Sequence, residues 1–323
     1  MKKISSERVI LFILEEISLI LIFIFFGIFA YLRPKGILNI DTLIFTLYSA
    51  VPIGFVVLAE SIVLFSGNFD LSVDQITGFS ALCAARALMW FNGFPTTLSI
   101  FLPIIIGALC GSLNGILVGR VRLNPFVATL GTLMFFKGLK LVVAPTSIWA
   151  TSLPVFYLSV GRSISTTIIV FALILVFLWF FFRYTRFGIN IYAVGGNPES
   201  AHMLGINIGR TYFFTYVLSG SLCGLAALFY SGYVSAVPTN IAEGTMIFAF
   251  AGSVIGGVSL KGGRGSVINA FWGILLLGFI ETGLAMFAVA SEVRIVSYGI
   301  LVITAVIIAS FKDSLRDRIL KPK

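Results

Sequence analysis

The sequence predicts an all-α, polytopic membrane protein with about ten transmembrane helices and both termini in the cytoplasm. Three observations carry this. Of 323 residues, 59% are hydrophobic and 11% charged, with a mean hydropathy of +1.07, whereas a soluble domain carries about 25% charged residues. The apolar runs are long and do not alternate, so they read as helices and not as barrel strands. The positive charges fall mostly on one set of connections, as the positive-inside rule requires.

Ten spans follow in order, at roughly 12–32, 43–66, 73–91, 98–119, 125–144, 163–182, 211–232, 243–259, 267–289 and 294–311. Lys2, Lys3 and Arg8 precede the first, like a signal peptide. No small-residue cleavage site follows and Glu15 and Glu16 interrupt the run, so it reads as an uncleaved span. With the N-terminus inside, the inner segments hold fifteen positive residues: Lys2, Lys3, Arg8, Arg120, Arg122, Arg183, Arg186, Arg210, Lys261, Arg264, Lys312, Arg316, Arg318, Lys321 and Lys323. The outer ones hold four, Arg33, Lys35, Arg162 and Arg294. The net charge of +9 is this cytoplasmic excess and not a nucleic-acid signal. The whole chain, 1–323, reads as a single transmembrane domain.

The polar interruption at 183–210 lies inside on this topology. Asn197 can cap a helix, with Pro198 at its first position and Glu199 in its positive first turn, and Gly205 can end it. A short helix over roughly 197–205, in a stretch too long for a bare connection, suits a docking surface. Other spans are broken or glycine-rich: Pro52 and Gly54 in the second, SGNFDLSVD at 66–74, Asn114-Gly115 in the fourth and Asn124-Pro125 before the fifth. Small residues permit close helix packing, and broken helices free backbone groups to line a polar cavity. Asn114-Gly115-Ile116-Leu117 faintly echoes Thr282-Gly283-Leu284, but the surrounding spacings disagree and no sequence repeat is evident.

Several chemistries are excluded. There is no Gly-Lys-Ser/Thr of a P-loop, no His-Glu-x-x-His and no Gly-x-Ser-x-Gly. Gly263-Arg264-Gly265 follows a span, not a strand, with Ile268 where a dinucleotide fingerprint needs glycine. One histidine excludes a multi-histidine metal site, and Cys83, Cys110 and Cys223 read as small hydrophobes. Asp70 and Asp74 sit at a span end without an acidic partner cluster. Glu60, Arg86 and Glu281 fall inside spans, where a charge must face protein, water or a partner. An interhelical Glu60–Arg86 pair is one reading; snorkelling of Arg86 and a polar wall for a hydrophilic solute are others.

Four blocks, in order, resemble the permease subunits of bacterial and archaeal ABC sugar importers of the ribose, xylose, galactose and autoinducer-2 type. They are SGNFDLSVDQITGFSAL at 66–82, GSLNGILVGRVRLNPFVATLGTLMFFKGL at 111–139, GINIYAVGGNPESAHMLGI at 188–206 and GGVSLKGGRGSVINAFWG at 256–273. Phe69 and Asp74 depart from the family's Ile and Gly, His202 from its Arg and Leu204 from its Ser. The resemblance implies a homo- or heterodimer of permeases joined to two cytosolic ATPase chains, which bind ATP and magnesium, and to an extracytoplasmic solute-binding protein. No cofactor is then bound by this chain, and its place is the cell (inner) membrane. The helix at 197–205 becomes a coupling helix, with Gly196, Asn197, Glu199, Ser200, Ala201, His202, Leu204 and Gly205 as its contacts. Asp70, Asn114 and Thr129 join Glu60 and Glu281 as candidates for the translocation pathway. The outer positive residues become candidates for meeting the binding protein. The alternative is a secondary transporter in which Glu60 or Glu281 carries a proton; a membrane-embedded enzyme lacks any catalytic cluster.

Overall fold

A computed structural model describes residues 17–33, 36, 39–91 and 93–320. Lys2, Lys3, Arg8, Glu15, Glu16, Lys35, Lys321, Lys323 and the start of the 12–32 span lie outside them. The described chain is almost wholly helical. Helix α1 is Ile17–Leu32, α2 Ile40–Phe65, α3 Val73–Trp90, α4 Phe101–Gly119 and α5 Pro125–Val143. Then come strand β1 (Ile148–Trp149), α6 (Val155–Arg162), α7 (Ile164–Tyr184), α8 (Arg186–Gly196), α9 (Pro198–Met203) and α10 (Ile208–Val234). Strand β2 (Ala236–Val237), α11 (Thr245–Gly256), α12 (Val267–Met286) and α13 (Ser291–Leu320) complete the chain, and β1 pairs antiparallel with β2.

Among the described residues, seven helices are long and apolar enough to cross a membrane: α2, α4 with its 3-10 lead-in from Thr96, α5, α7, α10, α12 and Glu292–Arg316 of α13. Three more occupy expected span positions but differ in kind. Helix α1 has 16 described residues. Helix α3 is diluted by Asp74, Gln75 and Arg86. Helix α11 has only 12 residues, about 18 Å of rise against a hydrocarbon core of about 30 Å. The segment expected as a span at 243–259 is therefore a half-length helix.

Two long helices form the centre. Asn39 caps α2 by accepting from the Asp41 N–H, and Asn207 caps α10 by accepting from the Arg210 N–H. The pair runs antiparallel: Tyr48 lies 5.3 Å from Tyr233, Phe55 stacks 5.2 Å from Phe229, and the Tyr216 hydroxyl donates to the Phe69 carbonyl at 2.8 Å. Helix α4 lies against α10 through Gly107, Gly111, Gly115 and Gly119, every fourth residue. A Cβ at Gly107 would fall 2.2 Å from the Gly220 carbonyl, so the backbones touch, as small residues permit in lipid.

The sequence shows no repeat, yet the packing is paired. Helix α3 packs on α4 and α5 as α11 packs on α12 and α13; α10 packs on α2 and α3 as α2 packs on α10 and α11. Because α2 and α10 are antiparallel, the two sets are inverted. The faint echo between Asn114-Gly115 and Thr282-Gly283 falls on α4 and α12, which hold corresponding places.

Candidate functional site

Each half of the fold contains a break. After α2 the chain reverses through 66–72, and α3 begins with Ser72, Val73, Asp74 and Gln75 all buried. After β2 the chain turns back through 238–244. There the Gly244 N–H, immediately before α11, donates to Asp74 Oδ2 at 3.1 Å. The two helices thus start beside each other, the buried first turn of α3 joined to the residue before α11 by this contact.

The first break is held by Asp70. Its Oδ1 accepts from the Ser72 N–H at 2.9 Å and from the Ser72 hydroxyl, the local turn that a short acidic side chain offers the backbone. Asn114 of α4 reaches the same knot: its Nδ2 lies 3.2 Å from Asp70 Oδ2 and 2.8 Å from Ser72 Oγ. Glu60 is 2% exposed and its carboxyl faces the Asp70 N–H, with Oε2 lacking a hydrogen-bond partner among the described residues. Of the readings offered for these charges, the Glu60–Arg86 pair does not form among the described residues. Arg86 lies 5.2 Å over the Trp90 ring, while Glu60 sits five residues before the end of α2, beside the returning 66–72 segment. Asp70 therefore does have an acidic neighbour, one that linear spacing concealed.

Neither of the other two pathway candidates hydrogen-bonds to this knot among the described residues. Thr129 is buried and its hydroxyl donates to the Pro125 carbonyl of its own helix at 2.8 Å. Glu281 lies near the end of α12, half-exposed, 3.1 Å from Arg294. Around the second break stand residues the sequence reading left as incidental. Lys140 is 2% exposed, and its Nζ, Asp74 Oδ1 and Gln75 Oε1 have no hydrogen-bond partner among the described residues. Lys137 bonds Glu243 at 2.7 Å and holds that carboxyl below its ordinary value.

The 183–210 segment contains two helices, not one. Helix α8 occupies the part expected as loop, with Gly196 as its last residue. Asn197 then caps α9, accepting from the Ser200 N–H at 2.9 Å, with Pro198 first and Glu199 second. Gly205 has φ +81°, its N–H reaches the His202 carbonyl, and the Ile206 N–H reaches the Ala201 carbonyl, closing the helix as a left-handed glycine should. Ala201 is buried and anchors α9. Glu199, Ser200 and His202 are exposed, and Met203 and Leu204 form an apolar tip, 84% and 79% exposed.

Residues 42–310 match the family described as the branched-chain amino acid transport system permease component. The chain belongs to this permease family. It is 32% identical over 267 residues to the fructose import permease protein FrcC of Rhizobium meliloti, covering 79% of this chain and 74% of that one. It is 28% identical over 289 residues to the autoinducer 2 import system permease protein LsrD of Escherichia coli (strain K12), covering 86% of each.

In the permease the four blocks singled out in the sequence converge. The 66–82 and 111–139 blocks meet at Asp70, Ser72 and Asn114. The 188–206 and 256–273 blocks meet the same break through backbone. A Cβ at Gly195 would lie 2.0 Å from the Phe65 carbonyl, one at Gly262 2.5 Å from Gly67 Cα, and one at Gly263 2.5 Å from Gly196 Cα. The Gly263 N–H donates to the Phe65 carbonyl at 3.0 Å. A cleft of about 710 Å³, lined by Asn68, Arg122, His202, Asn207 and Tyr212 among others, opens between the break and α9. The helix that leads into α9 is thus in direct backbone contact with the end of α2 and the start of the polar break.

Proposed function

We propose that this permease carries a monosaccharide, or a similarly small hydrophilic solute, into the cell, driven by ATP hydrolysis on separate cytosolic chains. The observation that carries the reading is α9: a capped helix with an exposed apolar tip, preceded by α8, whose end is in backbone contact with a buried polar break. An apolar tip standing in water fits a docked partner, and a cytosolic ATPase is the partner that permease families of this kind imply. Fructose and autoinducer 2 are what the two curated relatives are named for, and this supports a sugar-like solute. Arg120, Arg122, Arg183, Arg186 and Arg210 cluster at the α9 end of the helices, which supports a cytoplasmic α9; ten crossings with both termini inside are proposed with it. The remaining proposed assembly is a second permease copy and an extracytoplasmic binding protein, in the inner membrane, with ATP and magnesium held by the ATPase and no cofactor on this chain. Of the outer positive residues, Arg294 is paired with Glu281 and Arg162 Nε donates to Ser235 Oγ at 2.8 Å; both brace the outer surface as well as offering it charge.

The roles proposed are docking for Asn197, Glu199, Ser200, His202 and Leu204, transmission for Gly196, Ala201 and Gly205, and shaping of the pathway wall for Glu60, Asp70 and Asn114. Vesicles holding the permease, its ATPase and ATP inside, with loaded binding protein outside, test the reading. Uptake is expected to require ATP and to survive an uncoupler. Uptake that runs without ATP on an imposed proton gradient contradicts it and supports a secondary transporter.

A further inference from the structure

Beside α9, between α8 and α10, lies a cavity of about 880 Å³. Its mouth carries Arg186, the first residue of α8, and Arg210, in the first turn of α10. Both are exposed, no aspartate or glutamate lines the cavity, and neither arginine is in an ion pair among the described residues. The positive ends of two helices add to the charge there. Below the mouth the wall is aromatic and aliphatic. Phe181 lies 5.9 Å from Phe187, which meets Phe214 edge-on at 5.8 Å, and Leu218 continues the wall one turn deeper. The Arg210 guanidinium is 5.8 Å from the Phe214 ring, which pre-orients it over the apolar wall.

We propose that this groove binds one anionic phospholipid, its phosphate between Arg186 and Arg210 and an acyl chain along Phe187, Phe214 and Leu218. Two cations outside any ion pair among the described residues, above a mainly apolar wall interrupted by Asn190, Thr211 and Ser221, match the chemistry of a lipid headgroup and tail together. A soluble phosphate would use the mouth and leave the wall empty. One edge of the groove is Gly205-Ile206-Asn207, the link between α9 and α10, so a bound lipid also braces the proposed coupling helix. That last consequence rests on the proposed function; the lipid site does not.

The test is competition between phosphatidylglycerol and phosphatidylcholine for the purified full-length permease, read by native mass spectrometry. The permease is expected to retain phosphatidylglycerol preferentially. Arg186→Gln and Arg210→Gln should each lower that preference about fivefold, and the double variant should abolish it. Arg186→Lys, which keeps the charge, should retain most of it and guards against a folding defect in the glutamine variants. Equal retention of the two lipids, or a preference unchanged in the double variant, overturns the proposal. Displacement of phosphatidylglycerol by millimolar inorganic phosphate also overturns it, because the site would then be one for soluble anions.

Discussion

Gly195→Ala is expected to destabilise the permease by roughly 3 kcal/mol or more, while Gly196→Ala stays within about 0.5 kcal/mol of wild type. The two glycines are neighbours at the end of α8, but their surroundings differ. A methyl group at 195 would enter the space of the Phe65 carbonyl and come within 2.7 Å of the Gly263 nitrogen, whereas a methyl at 196 meets nothing within 4 Å. The clash is with backbone, which cannot rotate away, so α8 must separate from the end of α2 and from the 262–263 loop. Both changes improve helix propensity to the same degree, which isolates the packing effect. Thermal unfolding of the two variants in detergent measures it. Equal stability would mean that α8 is not seated on the break.

Asp70→Ala is expected to cost about 3 kcal/mol or more. It strands the Ser72 N–H and leaves the Asn114 amide with Ser72 Oγ as its remaining partner in a buried site, and an orphaned buried group costs about 1–3 kcal/mol. Glu60→Gln should behave differently. Glu60 is beside Asp70 and has no cationic partner among the described residues, so exchanging its carboxyl for an amide strands no partner, and its stability should remain within about 1 kcal/mol of wild type. Had Glu60 been paired with Arg86, Gln would have left a buried guanidinium alone and destabilised the fold. Denaturation of the two variants separates these cases. A large loss in Glu60→Gln combined with tolerance of Asp70→Ala would reverse the roles assigned to the two acids.

What could be read from the chain depended on how local the cause was. The α9 helix was legible because its cap, its proline and its terminating glycine all lie within nine residues, 197–205. The long apolar helices were legible for the same reason: hydropathy is a property of a window. Helix α8 was missed because it is short and has no long apolar run: its buried face is only Gly188, Ile191, Val194 and Gly195, with Tyr192 packed on Phe65 and Phe182. The place of α11 beside α3 was hidden because the residue before it is joined to Asp74, 170 residues earlier. The neighbour of Glu60 was hidden because the chain doubles back after Phe65, bringing Asp70 beside it. The inverted pairing of α2 to α5 with α10 to α13 lives in contacts and leaves one faint trace, Asn114-Gly115 against Thr282-Gly283. Lys140 and Gln75 gave no signal of their own, since a lysine near a span end and a glutamine near a turn are ordinary until their burial is known.

The central claim is that the tip of α9 faces the cytoplasm and meets the ATPase. Leu204→Cys, in a chain whose Cys83, Cys110 and Cys223 are replaced by serine, tests it with a membrane-impermeant thiol reagent. The account predicts no labelling in right-side-out vesicles, strong labelling in inside-out vesicles stripped of the ATPase, and protection when the ATPase is restored. Labelling from the outside, or labelling from the inside that the bound ATPase leaves unchanged, would contradict it.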